Sequence, residues 1–84
     1  MEKVKMYKSV THYGSFKILC ILANQPARFT EIMFKSELSP SVLNKLLKDL
    51  MSLDILAKDG NNKYYLTKKG ERILELLLQL YDSI

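Results

Sequence analysis

Residues 38–53 read LSPSVLNKLLKDLMSL and contain the clearest helix pattern of this chain. Ser39 is a residue type that caps helix N-termini, and Pro40 fits the first helical position, where no backbone N–H donor is needed. Leucines then recur at the spacing of one helix face, at positions 43, 46, 47, 50 and 53. The stretch therefore predicts an amphipathic helix over residues 40–53.

The opposite face of this helix is polar, with an unusual composition. Solvated helix faces commonly mix Glu with Lys, which support each other between turns. This face instead carries Ser41, Asn44, Lys45, Lys48 and Ser52. In a DNA major groove Asn bonds adenine, Ser bonds bases or phosphates, and Lys reaches guanine or phosphate. The face suits DNA binding, and an ordinary solvated surface is the alternative interpretation.

Two shorter helices are predicted before this one. Residues 15–24 are apolar almost all round, as in a buried central helix, and Pro26 ends that helix. Residues 27–29 fit a very short strand, and Thr30 is the expected N-cap of a helix over residues 31–37. Residues 1–13 fit either a helical arm or an irregular extension.

A hairpin and a last helix are predicted after residue 54. Residues 55–58 and 63–66 are strand-like, and the residues between them include Gly and Asn, which tolerate the positive φ of a hairpin turn. Alternation places Tyr64 and Leu66 on one face of the second strand, with Lys63 on the other. Thr67 is the expected N-cap of a helix that runs almost to the C-terminus.

Positive charge is concentrated around this hairpin. The whole chain has a net charge of +4, and four lysines against one aspartate give residues 55–70 a net charge of +3. A basic hairpin beside a polar helix is the pattern expected for contact with a phosphate backbone. Asn61 and Asn62 at the tip fit a backbone or minor-groove contact, or simply the turn. Tyr65 fits a sugar-phosphate contact or an ordinary exposed position.

The predicted order is helix, short strand, short helix, polar-faced helix, hairpin and long helix. It describes a mainly α fold with a small β-hairpin, a winged helix-turn-helix. The stretches RFTEI (28–32), LSPSVLNKLLKDL (38–50), ILAK (55–58) and YYLTKKG (64–70) resemble the winged-helix transcriptional regulators of the MarR, HxlR and PadR type. The resemblance covers roughly residues 15–75, and its most specific part is LTKKG after the hairpin.

This resemblance implies a recognition helix at residues 39–53, a wing at residues 55–66 and a dimer interface on the terminal helices. Lys58 falls where the family often has a basic wing residue, and Arg28 falls where a basic residue often opens the second helix region. Asp54 departs from the family pattern, which often has Gly after the recognition helix. Asp can adopt the left-handed conformation at some cost.

The last helix is more apolar than one small core requires, and only a narrow polar strip remains on it. This surplus predicts a second buried surface, because exposing it would create an unusually large apolar patch. We expect a homodimer interface, with the N-terminal segment alongside, formed by Leu74, Leu77, Leu78, Tyr81 and Ile84. Packing of both faces within one chain is the alternative.

Length and composition exclude several classes of protein. A chain of 84 residues is one domain and is too short for a two-domain enzyme or a full dinucleotide-binding fold. One Cys and one His exclude an internal disulfide and a His-rich metal site, and no Gly-rich phosphate loop is present. Cys20 is interpreted as a small buried hydrophobe and His12 as a surface or packing residue. We therefore expect no catalysis and no cofactor.

The location and function follow from these observations. The longest apolar run is six residues, 18–23, whereas a membrane span needs about 20, so a cytoplasmic protein is expected. Residues 1–84 are predicted to be one homodimeric domain that binds specific double-stranded DNA and regulates transcription. DNA contacts are expected from Ser39, Ser41, Asn44, Lys45 and Lys48 on the helix, and from Arg28, Lys58, Asn61, Asn62, Lys63 and Tyr65 at the wing. A winged-helix module for protein–protein contact is the alternative, and nothing in the sequence indicates an effector.

Overall fold

The computed structural model describes residues 12–83 and Lys3. The elements are α1 (Tyr13–Asn24), α2 (Phe29–Ser36), α3 (Pro40–Ser52), β1 (Leu56–Lys58), β2 (Tyr64–Leu66) and α4 (Lys68–Asp82). This order confirms the predicted winged helix-turn-helix. The predicted extension over residues 1–13 lies mostly outside the described residues.

The core takes apolar side chains from α1 to α4 and from the segment around β1. The leucine stripe predicted for α3 is buried at positions 43, 46, 47 and 50, and Leu53 is buried just beyond the helix. Ile18 and Leu19 of α1 and Ile32 of α2 are fully buried against it. Because one face of α3 fills the core, its polar face lies toward solvent.

The helix α1 begins at Tyr13, earlier than the predicted residue 15. The ring Nδ1 of His12 accepts a hydrogen bond of 2.9 Å from the Gly14 backbone N–H, so this imidazole is the N-cap. His12 is exposed, in line with the prediction of a surface or packing residue, but its role as N-cap was not predicted. Histidine is not among the common cap residues, which explains why the sequence did not indicate it.

The start of α2 differs from the prediction. The helix begins at Phe29, so Thr30 is a helical residue and its predicted role as N-cap is wrong. Arg28 occupies the cap position and makes no side-chain cap bond. The helix ends at Ser36, one residue before the predicted end, because Glu37 adopts a left-handed backbone with φ 59°.

The wing is the antiparallel hairpin of β1 and β2, in which Ala57 lies opposite Tyr65. At its tip the Asp59 carboxylate accepts the backbone N–H of Lys63 at 3.0 Å and of Asn61 at 2.8 Å. Asn62 has φ 62°, as expected of a turn Asn. In place of the short strand predicted at residues 27–29, Ala27 exchanges backbone hydrogen bonds of 3.1 and 2.7 Å with Tyr64.

The junction between α3, the wing and α4 is held by Thr67. Its Oγ1 accepts the Gly70 N–H at 3.0 Å, as expected of an N-cap, and donates to the Asp54 carbonyl at 2.6 Å. Asp54 has φ 61°, the left-handed conformation considered for it from the sequence. Gly70 packs against the carbonyl of Ile55 and leaves no room for a Cβ. The end of α3 and the start of α4 are therefore fixed relative to each other.

Throughout the part of the chain that the structure describes, every helix is too short or too polar to cross a bilayer.

Candidate nucleic-acid interface

The helix α3 presents the predicted polar residues to solvent. Ser39 caps the helix, and its Oγ accepts the Val42 N–H at 3.4 Å. Ser41, Asn44, Lys45 and Lys48 are all exposed. The helical period brings these side chains to the face opposite the buried leucines. Hydroxyl, amide and ammonium groups thus share one accessible face, which begins at the N-terminus of α3.

An ion pair runs along this face. Lys45 Nζ lies 2.9 Å from Asp49 Oδ2, one turn further along α3. The Lys45 side chain is 76% exposed and that of Asp49 is 23% exposed. An exposed pair of this kind contributes about 0–1 kcal/mol to stability. The pair orients Lys45 in the free protein. Because it is weak, another anionic group could replace Asp49 at little energetic cost.

The wing carries most of the predicted backbone contacts. Asn61 and Asn62 are exposed at its tip, Lys63 is half-buried, and Tyr65 is exposed. Lys58 Nζ lies 5.1 Å from the centre of the Tyr64 ring, within the range of a cation–π contact. The structure therefore brings these residues together on one hairpin, with the basic groups around its polar tip.

Arg28 precedes α2 and is far from the wing in sequence, yet its charge reaches the wing tip. The backbone N–H of Lys63 is the largest cause of a lowered pKa at the Asp59 carboxyl, followed by the Asn61 N–H. The charges of Lys63 and Arg28 lower that pKa further. The bridge between Ala27 and Tyr64 explains this proximity, because it anchors the residue beside Arg28 to β2.

Two lysines have structural partners that the sequence did not indicate. Lys69 Nζ donates to the Leu53 carbonyl at 2.8 Å, just beyond the end of α3. Lys17 Nζ donates to the Ser36 carbonyl at 3.0 Å, at the end of α2. Lysines stabilise helix C-termini by bonding the last carbonyls. Their partners lie 16 and 19 residues away, so no local pattern reveals them.

The apolar surface of α4 differs from the predicted dimer interface. Leu74 and Leu77 are each only 7% exposed and belong to the chain's own core, which corrects their predicted place on an outer surface. Leu76 and Leu80 are instead 56% and 54% exposed, and Leu78 and Tyr81 are also accessible. The Tyr81 ring lies 4.6 Å from that of Phe16, centre to centre. Ile84 lies outside the described residues.

Three further observations concern a thiol, a groove and the metal-ligating side chains. Cys20 is half-buried, and burial raises the pKa of its thiol, so the reactive thiolate is disfavoured. A groove of about 450 Å³ lies between the end of α1, β2 and α4, with Leu22, Tyr65 and Leu78 in its walls. In residues 12–83 and Lys3, no three His, Cys, Asp or Glu side chains are grouped to hold a metal ion.

Comparison with known proteins assigns the chain to a family. A winged helix-turn-helix family model matches residues 15–84, and the chain therefore belongs to the winged helix-turn-helix family. This membership confirms the resemblance to winged-helix regulators that the sequence indicated. It supports DNA-binding transcription regulation as the general function. A comparison with curated protein sequences gives no match.

Several solved structures share the fold. Quinone-bound YodB from B. subtilis is 23% identical, with 94% of this chain and 92% of that chain covered and a TM-score of 0.76. HlyU from Vibrio cholerae N16961 is 26% identical, with 95% and 91% covered and a TM-score of 0.74. ZitR from Lactococcus lactis is 24% identical, with 88% and 59% covered and a TM-score of 0.67.

Proposed function

We propose that this chain binds double-stranded DNA as a homodimer and regulates transcription by occupying a specific operator. The observation that carries the proposal is the polar face of α3, where Ser41, Asn44, Lys45 and Lys48 are exposed while the leucine stripe is buried. Such a helix docks in a major groove with its N-terminal residues at the base edges. We propose that the protein acts in the cytoplasm and uses no catalytic group or cofactor, because occupying an operator requires neither.

Base contacts are assigned to the first two turns of α3. Asn44 forms paired hydrogen bonds with an adenine, and Ser41 bonds a base or a phosphate. Ser39 lies at the helix N-terminus, whose unpaired N–H groups favour a phosphate. Lys45 exchanges Asp49 for guanine or phosphate, because the exposed ion pair is weak enough to be replaced.

Backbone contacts are assigned to the wing. Lys58 and Lys63 neutralise phosphates, Asn61 and Asn62 bond backbone or minor-groove atoms, and Tyr65 lies on the sugar-phosphate. Arg28 adds a further charge because Ala27 ties its segment to β2. Each neutralised phosphate releases counterions, so the affinity should fall steeply with salt concentration.

Two substitutions separate these roles in a mobility-shift titration. Lys63→Ala should weaken binding equally on all duplexes and lower the slope of log K against log salt by about one. Asn44→Ala should leave that slope unchanged and relax the sequence preference at one base pair. Duplexes selected from a random pool provide the operator for the measurement. If the parent shows no salt-dependent binding to any duplex at low salt, the proposal is wrong and the protein–protein alternative is favoured.

The dimer is assigned to the exposed apolar face of α4. Leu76 and Leu80 are one turn apart, and a partner's α4 would remove both from water. The double substitution Leu76→Glu with Leu80→Glu should give a monomer in sedimentation equilibrium. Phe34→Glu is the matched control, since Phe34 is 79% exposed on α2 and lies outside this interface. A parent that sediments as a monomer at DNA-binding concentrations would contradict the dimer.

A further inference from the structure

An apolar side chain borders the polar face of α3 near its N-terminus, on the side of the buried Leu46. Val42 is 40% exposed and lies between Ser41 and the buried Leu43. Met51 is the other large apolar side chain of α3 that solvent reaches, at 36% exposure, and it lies near the opposite end of the helix. Val42 is therefore an accessible apolar group in the turn that a docked recognition helix places nearest the bases.

The polar neighbours of Val42 on α3 do not cover it completely. Long lysine side chains often lie over adjacent apolar groups. Lys45, one turn further on, instead extends toward the C-terminus, where its Nζ lies 2.9 Å from Asp49. Ser39 and Ser41 are too small to shield the valine. The side chain of Val42 therefore remains partly accessible, at 40% exposure, beside these polar neighbours.

We propose that Val42 recognises the C5-methyl group of a thymine in the operator, an inference that rests on the DNA-binding function proposed above. The C5-methyl is the apolar feature that distinguishes thymine in the major groove. A valine in a helix has one strongly preferred χ1 rotamer, so its methyl groups are already positioned before binding. With Asn44 directed at adenine, this contact gives the first turns of α3 a preference for A·T pairs.

Uracil substitution tests this contact at the level of one methyl group. Uracil keeps the base-pairing and major-groove oxygen of thymine and lacks only the methyl. Each thymine of a duplex selected from a random pool is replaced in turn by uracil, and Kd is measured by fluorescence anisotropy. When uracil replaces the one thymine that Val42 contacts in each half-site, the affinity of the parent should fall about fourfold. This factor corresponds to the free energy of removing one methyl-sized group from water.

Two variants assign the effect to Val42. Val42→Ser should bind thymine and uracil duplexes equally, because the apolar partner is missing. Met51→Ser is the matched control and should keep the fourfold discrimination, since it changes an exposed apolar residue at the other end of the same helix. Exposed substitutions of this kind usually have small effects on stability, and circular dichroism verifies the fold of both variants.

The outcomes distinguish this inference from the proposed function. If the parent binds the selected duplex and its Kd is unchanged by uracil at every position, the proposed contact with a thymine methyl is wrong, while the proposed DNA binding stands. Retained discrimination in Val42→Ser, or selected sites without a shared thymine, overturns the proposed contact in the same way. A parent that binds no duplex at low salt overturns both proposals.

Discussion

Replacing Thr67 by valine tests the connection between the recognition helix, the wing and α4. The substitution keeps the branched shape and removes the hydroxyl, which accepts the Gly70 N–H at 3.0 Å and donates to the Asp54 carbonyl at 2.6 Å. Loss of a threonine N-cap costs about 1 kcal/mol. Loss of the second hydrogen bond, at an exposed carbonyl, adds about 0.5–1 kcal/mol. We expect a decrease of about 2 kcal/mol in the free energy of unfolding.

Urea denaturation followed by circular dichroism measures this decrease. A domain of this size loses roughly 4–8 °C of Tm per kcal/mol, so thermal melting should shift by about 10 °C. Thr67→Ser is the matched control, because serine keeps the hydroxyl and caps helices at least as well as threonine. If Thr67→Val and Thr67→Ser unfold at the same urea concentration with the same slope, the hydroxyl does not hold this junction.

Two further predictions concern the start of α4 and the tip of the wing. Gly70→Ala should destabilise the domain by about 2 kcal/mol or more, because the new Cβ would overlap a backbone carbonyl that cannot move aside. Gly60→Ala should be nearly neutral in the same denaturation assay, since nothing lies within 4 Å of its added Cβ; equal losses would refute this reasoning. At the wing tip, the backbone N–H of Lys63, followed by that of Asn61, lowers the pKa of the Asp59 carboxyl. The ionised carboxylate therefore stabilises the fold above the unfolded-state pKa. This stabilisation disappears as the pH falls through the folded-state pKa. The Lys63 amide signal should therefore titrate in NMR with a midpoint below the ordinary pKa of an aspartate, and Asp59→Asn should abolish the titration; a midpoint at or above that ordinary pKa would contradict the assignment.

Local chemistry made several elements of the fold predictable. Ser39 and Pro40 define the start of α3, and Thr67 caps α4, because short-range bonds between neighbouring residues fix these boundaries. The start of α2 was missed because Thr30, a good cap residue, is helical while Arg28 holds the cap position without a side-chain bond. There the packing of Phe29 and Ile32 against the core overrides the local cap preference.

The candidate site was predictable where periodicity alone decides exposure. The leucine stripe of α3 must be buried, so the polar residues opposite it must be accessible. Periodicity fails on α4, where apolar residues surround much of the helix and a single sequence cannot tell which face meets the chain's own core. Leu74 and Leu77 fill that core, whereas Leu76 and Leu80 remain outside. Only the three-dimensional arrangement of α1 and β2 against α4 decides between these faces.

The structure also divides the basic residues into two groups with different roles. The four lysines of residues 55–70 suggest an even charge around the wing, yet Lys69 lies in the first turn of α4, where it is bonded to the Leu53 carbonyl and so stabilises the end of α3. A lysine held in this way has little freedom to follow a phosphate, whereas Lys63 shows no side-chain hydrogen bond or ion pair within residues 12–83. The salt dependence of DNA binding should therefore respond to Lys63→Ala and stay nearly constant in Lys69→Ala, which should instead lower the free energy of unfolding by about 1–2 kcal/mol. Net charge alone would predict equal effects on binding, so measuring both variants decides whether the fold or the charge count controls DNA affinity.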